Sequence, residues 1–185
     1  LVDAAITGRA PAAILEGLCR AMVDLGLPLS RAAIGAFLVH PLLDATLVVW
    51  RSDRGAHIDD SPRPAVRGNE RWRHSPFYRM QQSGTNLQRY RLDQGEGTQD
   101  FAALAELAAE GATDYVALRT RLAAGVTLGQ GTSIFSSWVT HRVGGFTAAE
   151  IDRIRGIEPL LAVVTAAALG TATAGTLLAT YLGAD

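Results

Sequence analysis

The chain has 185 residues and a mass of 19.6 kDa, enough for one core-forming domain with room for an appended helix. Its 48% hydrophobic and 19% charged content excludes a disordered chain, and a net charge of −1 removes any global electrostatic case for nucleic acid or anionic lipid. All 17 basic residues are arginine, and the single cysteine, Cys19, excludes an internal disulfide and a cysteine zinc cluster.

The N-terminal LVDAAITGRAPAA lacks the basic and apolar regions of a secretion signal, so a cytoplasmic location is the expectation. Beginning on Leu1, the sequence reads as a piece of a longer polypeptide. Residues 11–25 place Ile14, Leu15, Leu18, Cys19, Met22 and Leu25 on one face at helical spacing. Pro11 suits a first turn, and Gly26 with Pro28 ends the run. AAIGAFLVH (32–40) and ATLVVWR (45–51) read as strands joined by PLLD, a hairpin. The polar, Gly- and Pro-rich stretch 52–71 reads as a surface loop.

SPFYRMQQSG (75–84) predicts a short helix with Ser75 as N-cap and Pro76 in the first turn. NLQRYRL (86–92) alternates as a strand does, and 100–111 is a helix ending on Gly111. TDYVALRTRL (113–122) and GTSIFSSWVTHR (131–142) read as two further strands, with GQGTS (129–133) as their hairpin turn. Thr147 and Glu150 form a capping box, with Phe146 placed as its hydrophobic staple, ahead of a long helix broken in pattern at Pro159 and Gly170. The plan is α+β: an antiparallel sheet of about five to six strands with the first and last helices packed together on one face.

Pro159–Tyr181 is a run of 23 residues without a formal charge, long enough for a membrane span. Five threonines and two glycines weaken insertion, and no aromatic belt marks both ends. A helix that dimerises and leads into another domain is the preferred reading, with no membrane and no nucleic acid as partners.

Four stretches carry a resemblance: HSPFYRMQQSG (74–84), FAALAELAAEGATDYVALRTRL (101–122), SSWVTHRVGGFTAAEIDRI (136–154) and TLLATYLGAD (176–185). The chain resembles the N-terminal sensory region of bacterial class III adenylate/guanylate cyclases of the alphaproteobacterial type. The resemblance implies a GAF-like sensory domain over 1–170, with 171–185 the start of a signalling helix toward a C-terminal cyclase catalytic domain. It implies a homodimer through the first and last helices, and control of cAMP or cGMP synthesis by that absent domain. The metal-binding aspartates of such cyclases belong to the catalytic domain, so no enzyme activity is expected of this chain.

A GAF-like domain holds small ligands between the sheet and whatever covers its far face. Segment 72–80 best fits such a lid, with Trp72, His74, Phe77, Tyr78, Arg79 and Met80, while Tyr115 and Trp138 would floor the same cavity. Aromatic rings supply stacking area, and Arg79 or Arg119 would hold a carboxylate or phosphate by a bidentate fork. The plain alternative is that these rings are core and the arginines solvated. His40, His57, His74 and His141 lack metal-ligand spacing, and Cys19 lies outside the pocket segment, which argues against covalent bilin. The cofactor is unknown, a non-covalent small molecule being the expected ligand class. Two functions follow: a ligand-sensing, dimerising regulatory module, or a ligand-free dimerisation scaffold.

Overall fold

The computed structural model describes residues 8–37, 43–62, 70–122 and 133–182, with side chains at 37, 43–46, 59–62, 70–71 and 172–182 left aside. His40, the first half of the PLLD connection and nearly all of the GQGTS turn lie outside the described residues. Helix α1 spans Pro11–Asp24 and opens on Pro11, whose missing amide costs nothing in a first turn. Strands β1 (Arg31–Phe37), β2 (Leu43–Arg51) and β3 (Gly55–Pro62) form an antiparallel meander. Short helices α2 (Glu70–Arg73) and α3 (Pro76–Ser83) lead into β4 (Leu87–Tyr90). Then come α4 (Ala102–Ala109), β5 (Asp114–Arg121), β6 (Ser133–Thr140) and α5 (Ala148–Leu182).

The six strands make one antiparallel sheet in the order β3-β2-β1-β6-β5-β4. Period-two alternation divides it into two faces. Even-numbered residues such as Ile34, Val48, Val116, Ile134 and Trp138 join Leu15, Leu18 and Cys19 of α1 and Ile154, Leu161 and Leu169 of α5 in one core. The first and last helices therefore share a face of the sheet. On the opposite face Tyr115, Ala117 and Val139 pack with Met80, Phe101, Leu104 and Leu107 from α3 and α4.

One expectation fails. Residues 55–62, read as loop, are strand β3, paired with β2 from Arg51↔Gly55 to Leu43↔Pro62. Its sequence is polar because it is an edge strand: His57 and Ile58 are exposed, so no buried face imposes alternation. Helix α1 pins its start. Glu16 accepts the Ala56 amide at 2.6 Å, and Gly55, at φ 76°, leaves the space that a Cβ would take from the Glu16 carboxylate.

Two acidic groups fix where α5 begins. Asp114 is fully buried and accepts from the Arg89 guanidinium at 2.7 Å and from the Phe146 amide at 2.8 Å. Arg89 also donates to the Phe146 carbonyl at 2.7 Å, tying β4 and β5 to the chain just before α5. Gly145 lies so close to this carboxylate that a side chain there would collide with it. The capping box forms as read: Glu150 accepts the Thr147 amide at 2.7 Å, and the Glu150 amide donates to the Thr147 hydroxyl at 3.3 Å. The staple forms too, with Phe146 buried and Ile151 packed on the same core.

Helix α5 has 35 residues and is about 50 Å long. It runs through 170–171 without a break. Its segment Ala148–Thr171 is long and apolar enough to cross a membrane by length and composition, with hydropathy 1.3 and 44% of its most apolar window buried within the chain.

Arg142 also donates to Glu150, and its guanidinium, with the Thr147 amide and hydroxyl, holds the Glu150 carboxyl down to about 2. A carboxyl lowered by folding stabilises above its ordinary range and loses that contribution as pH falls from about 4.5 toward 2. Replacing Glu150 by Gln should cost about 1 kcal/mol at neutral pH. Urea unfolding followed by circular dichroism should also show the variant losing less stability than wild type on acidification.

Candidate functional site

The lid segment begins at a turn closed by the Ser75 amide donating to the Trp72 carbonyl at 3.0 Å. Ser75 then caps α3, its hydroxyl accepting the Tyr78 amide at 3.2 Å, and Pro76 occupies the first turn. Met80 is driven fully into the core with Leu104 and Phe101, so it anchors the lid and lines no cavity. That anchoring turns Phe77 toward β6, where its ring lies 5.3 Å from Phe135. Trp72 meets the same Phe135 ring edge-on at 5.9 Å and Tyr78 at 6.1 Å. Two of the expected side chains, Trp72 and Phe77, thus converge on a residue that was not among the candidates, and Tyr78 joins them through Trp72.

Phe135 was hidden by its position inside an unbroken buried strand. The register finds it: Phe135 pairs with Arg119 across β5–β6, on the face turned toward α3 and α4. The Arg119 guanidinium lies 5.9 Å from the Phe135 ring, and its Nε donates to the Ser133 hydroxyl at 3.0 Å. Among the described residues it has no acidic partner. Burial and the like charge of Arg121 lower its proton affinity, the reverse of what an ion pair does.

Arg79, the other candidate anion holder, is committed elsewhere. It pairs with Asp100 at 3.0 Å and stacks over Phe101 at 4.5 Å. His74 is exposed beside the turn. Tyr115 is buried at the other end of this face, against Val139 and within 6.2 Å of Tyr90, and burial pushes its hydroxyl up to about 12. Trp138 is the correction. It pairs with Val116, on the face packed by α1 and α5, and therefore cannot share a cavity with Tyr115, whose partner is Val139. Residues paired one step apart point to opposite sides.

Between Arg119/Phe135 and Tyr115/Val139 the register places Ala117 opposite Ser137, with Ala33 beyond on β1. Small side chains, 0–2% exposed, thus separate two aromatic groups on the same face. A cleft of about 250 Å³ opens elsewhere, between α1 and the β2–β3 hairpin, lined by Glu16, Arg20, Trp50 and Arg51. Its arginines are already paired, Arg20 with Glu16 and Arg51 with Glu110. The lid side is therefore the better anion site. Among the described residues no three His, Cys, Asp or Glu side chains gather as a metal site requires.

No family model matches the chain, and neither does any curated protein or solved structure. The site is characterised by its own geometry: a guanidinium without an acidic partner among the described residues, beside a Phe135 ring on which Trp72 and Phe77 pack.

The three tryptophans report on different places. Trp50 and Trp138 are 3% and 0% exposed, whereas Trp72 is half-buried. Acrylamide should quench mainly Trp72, and Trp72→Phe should remove most of the quenchable emission. Equal quenching of all three would contradict this placement.

Proposed function

We propose that this chain is the GAF-like regulatory region of a class III nucleotide cyclase. It binds a small anionic molecule on the lid side and passes its state along α5 to a C-terminal catalytic domain that makes cAMP or cGMP. The observation that carries the ligand reading is Arg119, a partly buried guanidinium with no acidic partner among the described residues, beside Phe135, against whose ring Trp72 and Phe77 pack. A cation held in such a place is stabilised by an incoming carboxylate or phosphate, which the planar guanidinium takes bidentately. The sheet order, the first and last helices on one face and the crossover helices on the other support the GAF-like assignment. The cyclase assignment rests on the sequence resemblance.

Signalling through α5 requires a ligand to bind one helix arrangement better than another; equal affinity for both transmits nothing. A dimer gives that helix something to move against. On α5 the residues Gly156, Leu160, Val163 and Ala167 are exposed at spacings of four and three, an apolar seam of coiled-coil type. Leu160 and Val163 are 40% and 61% exposed. Ala13, Gly17 and Ala21 present a matching row of small exposed residues on α1. The partner is a second copy of the chain, and the location is cytoplasmic.

A second reading, a dimerisation scaffold that holds no ligand, is favoured by the ring contacts themselves: Trp72, Phe77 and Phe135 touch one another and leave Phe135 only 4% exposed.

Native mass spectrometry of the chain as purified separates the two. The sensing reading expects an added small-molecule mass that Arg119→Leu loses; a chain that carries none, and whose Trp72 emission ignores mixed carboxylates and phosphates, is a scaffold. Both readings expect a dimer by sedimentation, which Val163→Glu should convert to monomer with the fold intact. A wild-type monomer would remove the seam from the account.

A further inference from the structure

Of the three carboxyls on helix α5, one is buried without an ion-pair partner among the described residues. Glu158 faces the sheet and is 4% exposed. Its Oε2 accepts the Ser136 hydroxyl at 2.7 Å, and Ser136 Oγ accepts the Trp138 indole N–H at 3.0 Å. Among the described residues its Oε1 has no hydrogen-bond partner. An ionised carboxylate accepts at both oxygens and is expensive to bury unpaired, whereas a neutral acid is tolerated there.

Among the described residues no cation compensates it. On β5, Arg119 and Arg121 stand at odd positions on the opposite face, bound to Ser133 and to the Gly84 carbonyl. Strand β6 has no charged residue. On α1, Glu16 pairs with Arg20, Asp24 is exposed, and burial holds the Cys19 thiol neutral. On α5 itself, Asp152 pairs with Arg155, Glu150 with Arg142, and Arg153 is exposed. The Thr120 hydroxyl on β5 favours the ionised form but makes no hydrogen bond of normal geometry to Oε1.

The next residue is Pro159. It has no amide, so the Arg155 carbonyl receives no helical hydrogen bond, and the helix resists bending least beside the buried carboxyl. We propose that Glu158 is a proton-operated latch: protonated, it lets α5 lie flat on β5 and β6; ionised, it draws water into that seam and bends α5 at Pro159. Burial is the dominant influence and pushes the carboxyl up to about 7. Because folding raises its proton affinity, Glu158 favours the flat arrangement at low pH, and that contribution is lost as pH rises from about 4.5 to about 7. The domain would then read cytoplasmic pH through its output helix. That consequence rests on the output-helix reading above, but the titration itself needs neither ligand nor catalytic domain.

Nuclear magnetic resonance of the whole chain tests it. The Trp138 indole N–H and the Glu158 carboxyl carbon should both titrate with a midpoint near 7, and the Trp138 titration should vanish in Glu158→Gln. Above the midpoint, amide exchange around 155–162, corrected for its intrinsic pH dependence, should speed up about tenfold in wild type only. A Trp138 signal that ignores pH, or one that still titrates in the Gln variant, overturns the latch. So does a titration without faster exchange in α5. If the variant does not fold, the wild-type carboxyl resonance and exchange decide alone. A failure here leaves Arg119 and the lid untouched, and an empty lid leaves this titration untouched.

Discussion

Strand β6 is buried along its whole length, on both faces of the sheet. That constraint organises everything else. The even residues Val116, Leu118, Ile134 and Trp138 of β5 and β6 are committed to the core under α1 and α5, and the odd residues Tyr115, Ala117 and Val139 to that under α3 and α4. A slip of one residue would exchange the two sets and bury Arg119 against the helices, so the register is held by packing as much as by hydrogen bonds. The same constraint sets the site. Phe135 and Arg119 face the lid because Ile134 and Trp138 face the helices.

Polar groups inside this frame are of two kinds. Asp114 is buried, yet it takes bonds from Arg89 and from the Phe146 amide, so its desolvation is offset by donors on two elements. It joins the sheet edge to the start of α5, and the Thr147–Glu150 cap continues the restraint into the first turn. Glu158, about two turns beyond Glu150, lacks such company among the described residues. The two glutamates of α5 therefore respond oppositely to pH: Glu150 steadies the helix where it is ionised, Glu158 where it is protonated. The helix is anchored firmly at its start, and in the proposed latch its hold further on depends on the proton at Glu158.

Most elements were legible in the sequence because local signals agreed with packing. Ser75, Pro76, Thr147 and Glu150 cap helices in the positions read for them, and the apolar spacing of 11–25 buries the residues it marks except Leu25, which follows the helix. Strand β3 was not legible: an edge strand exposed at His57 and Ile58 carries no alternation to read. The site was legible in its lid and not in its floor. Trp72, Phe77 and Tyr78 lie in one short segment, whereas Phe135 and Arg119 meet only through a strand register that no single segment contains. Arg79 and Arg119 look alike in sequence; Asp100, 21 residues from Arg79, makes the difference. Glu158 was passed over because an acidic residue on a helix is ordinarily solvated, and only the sheet beneath it changes that.

The account turns on whether the lid side holds an anion at Arg119. A crystal structure of the chain as it leaves its expression host is the most direct measurement. The account predicts density for a small molecule over Ala117 and Ser137, with an acidic group in hydrogen-bond contact with the Arg119 guanidinium. Arg119 paired instead with an acidic side chain of its own chain, beneath rings packed without space between them, would contradict it.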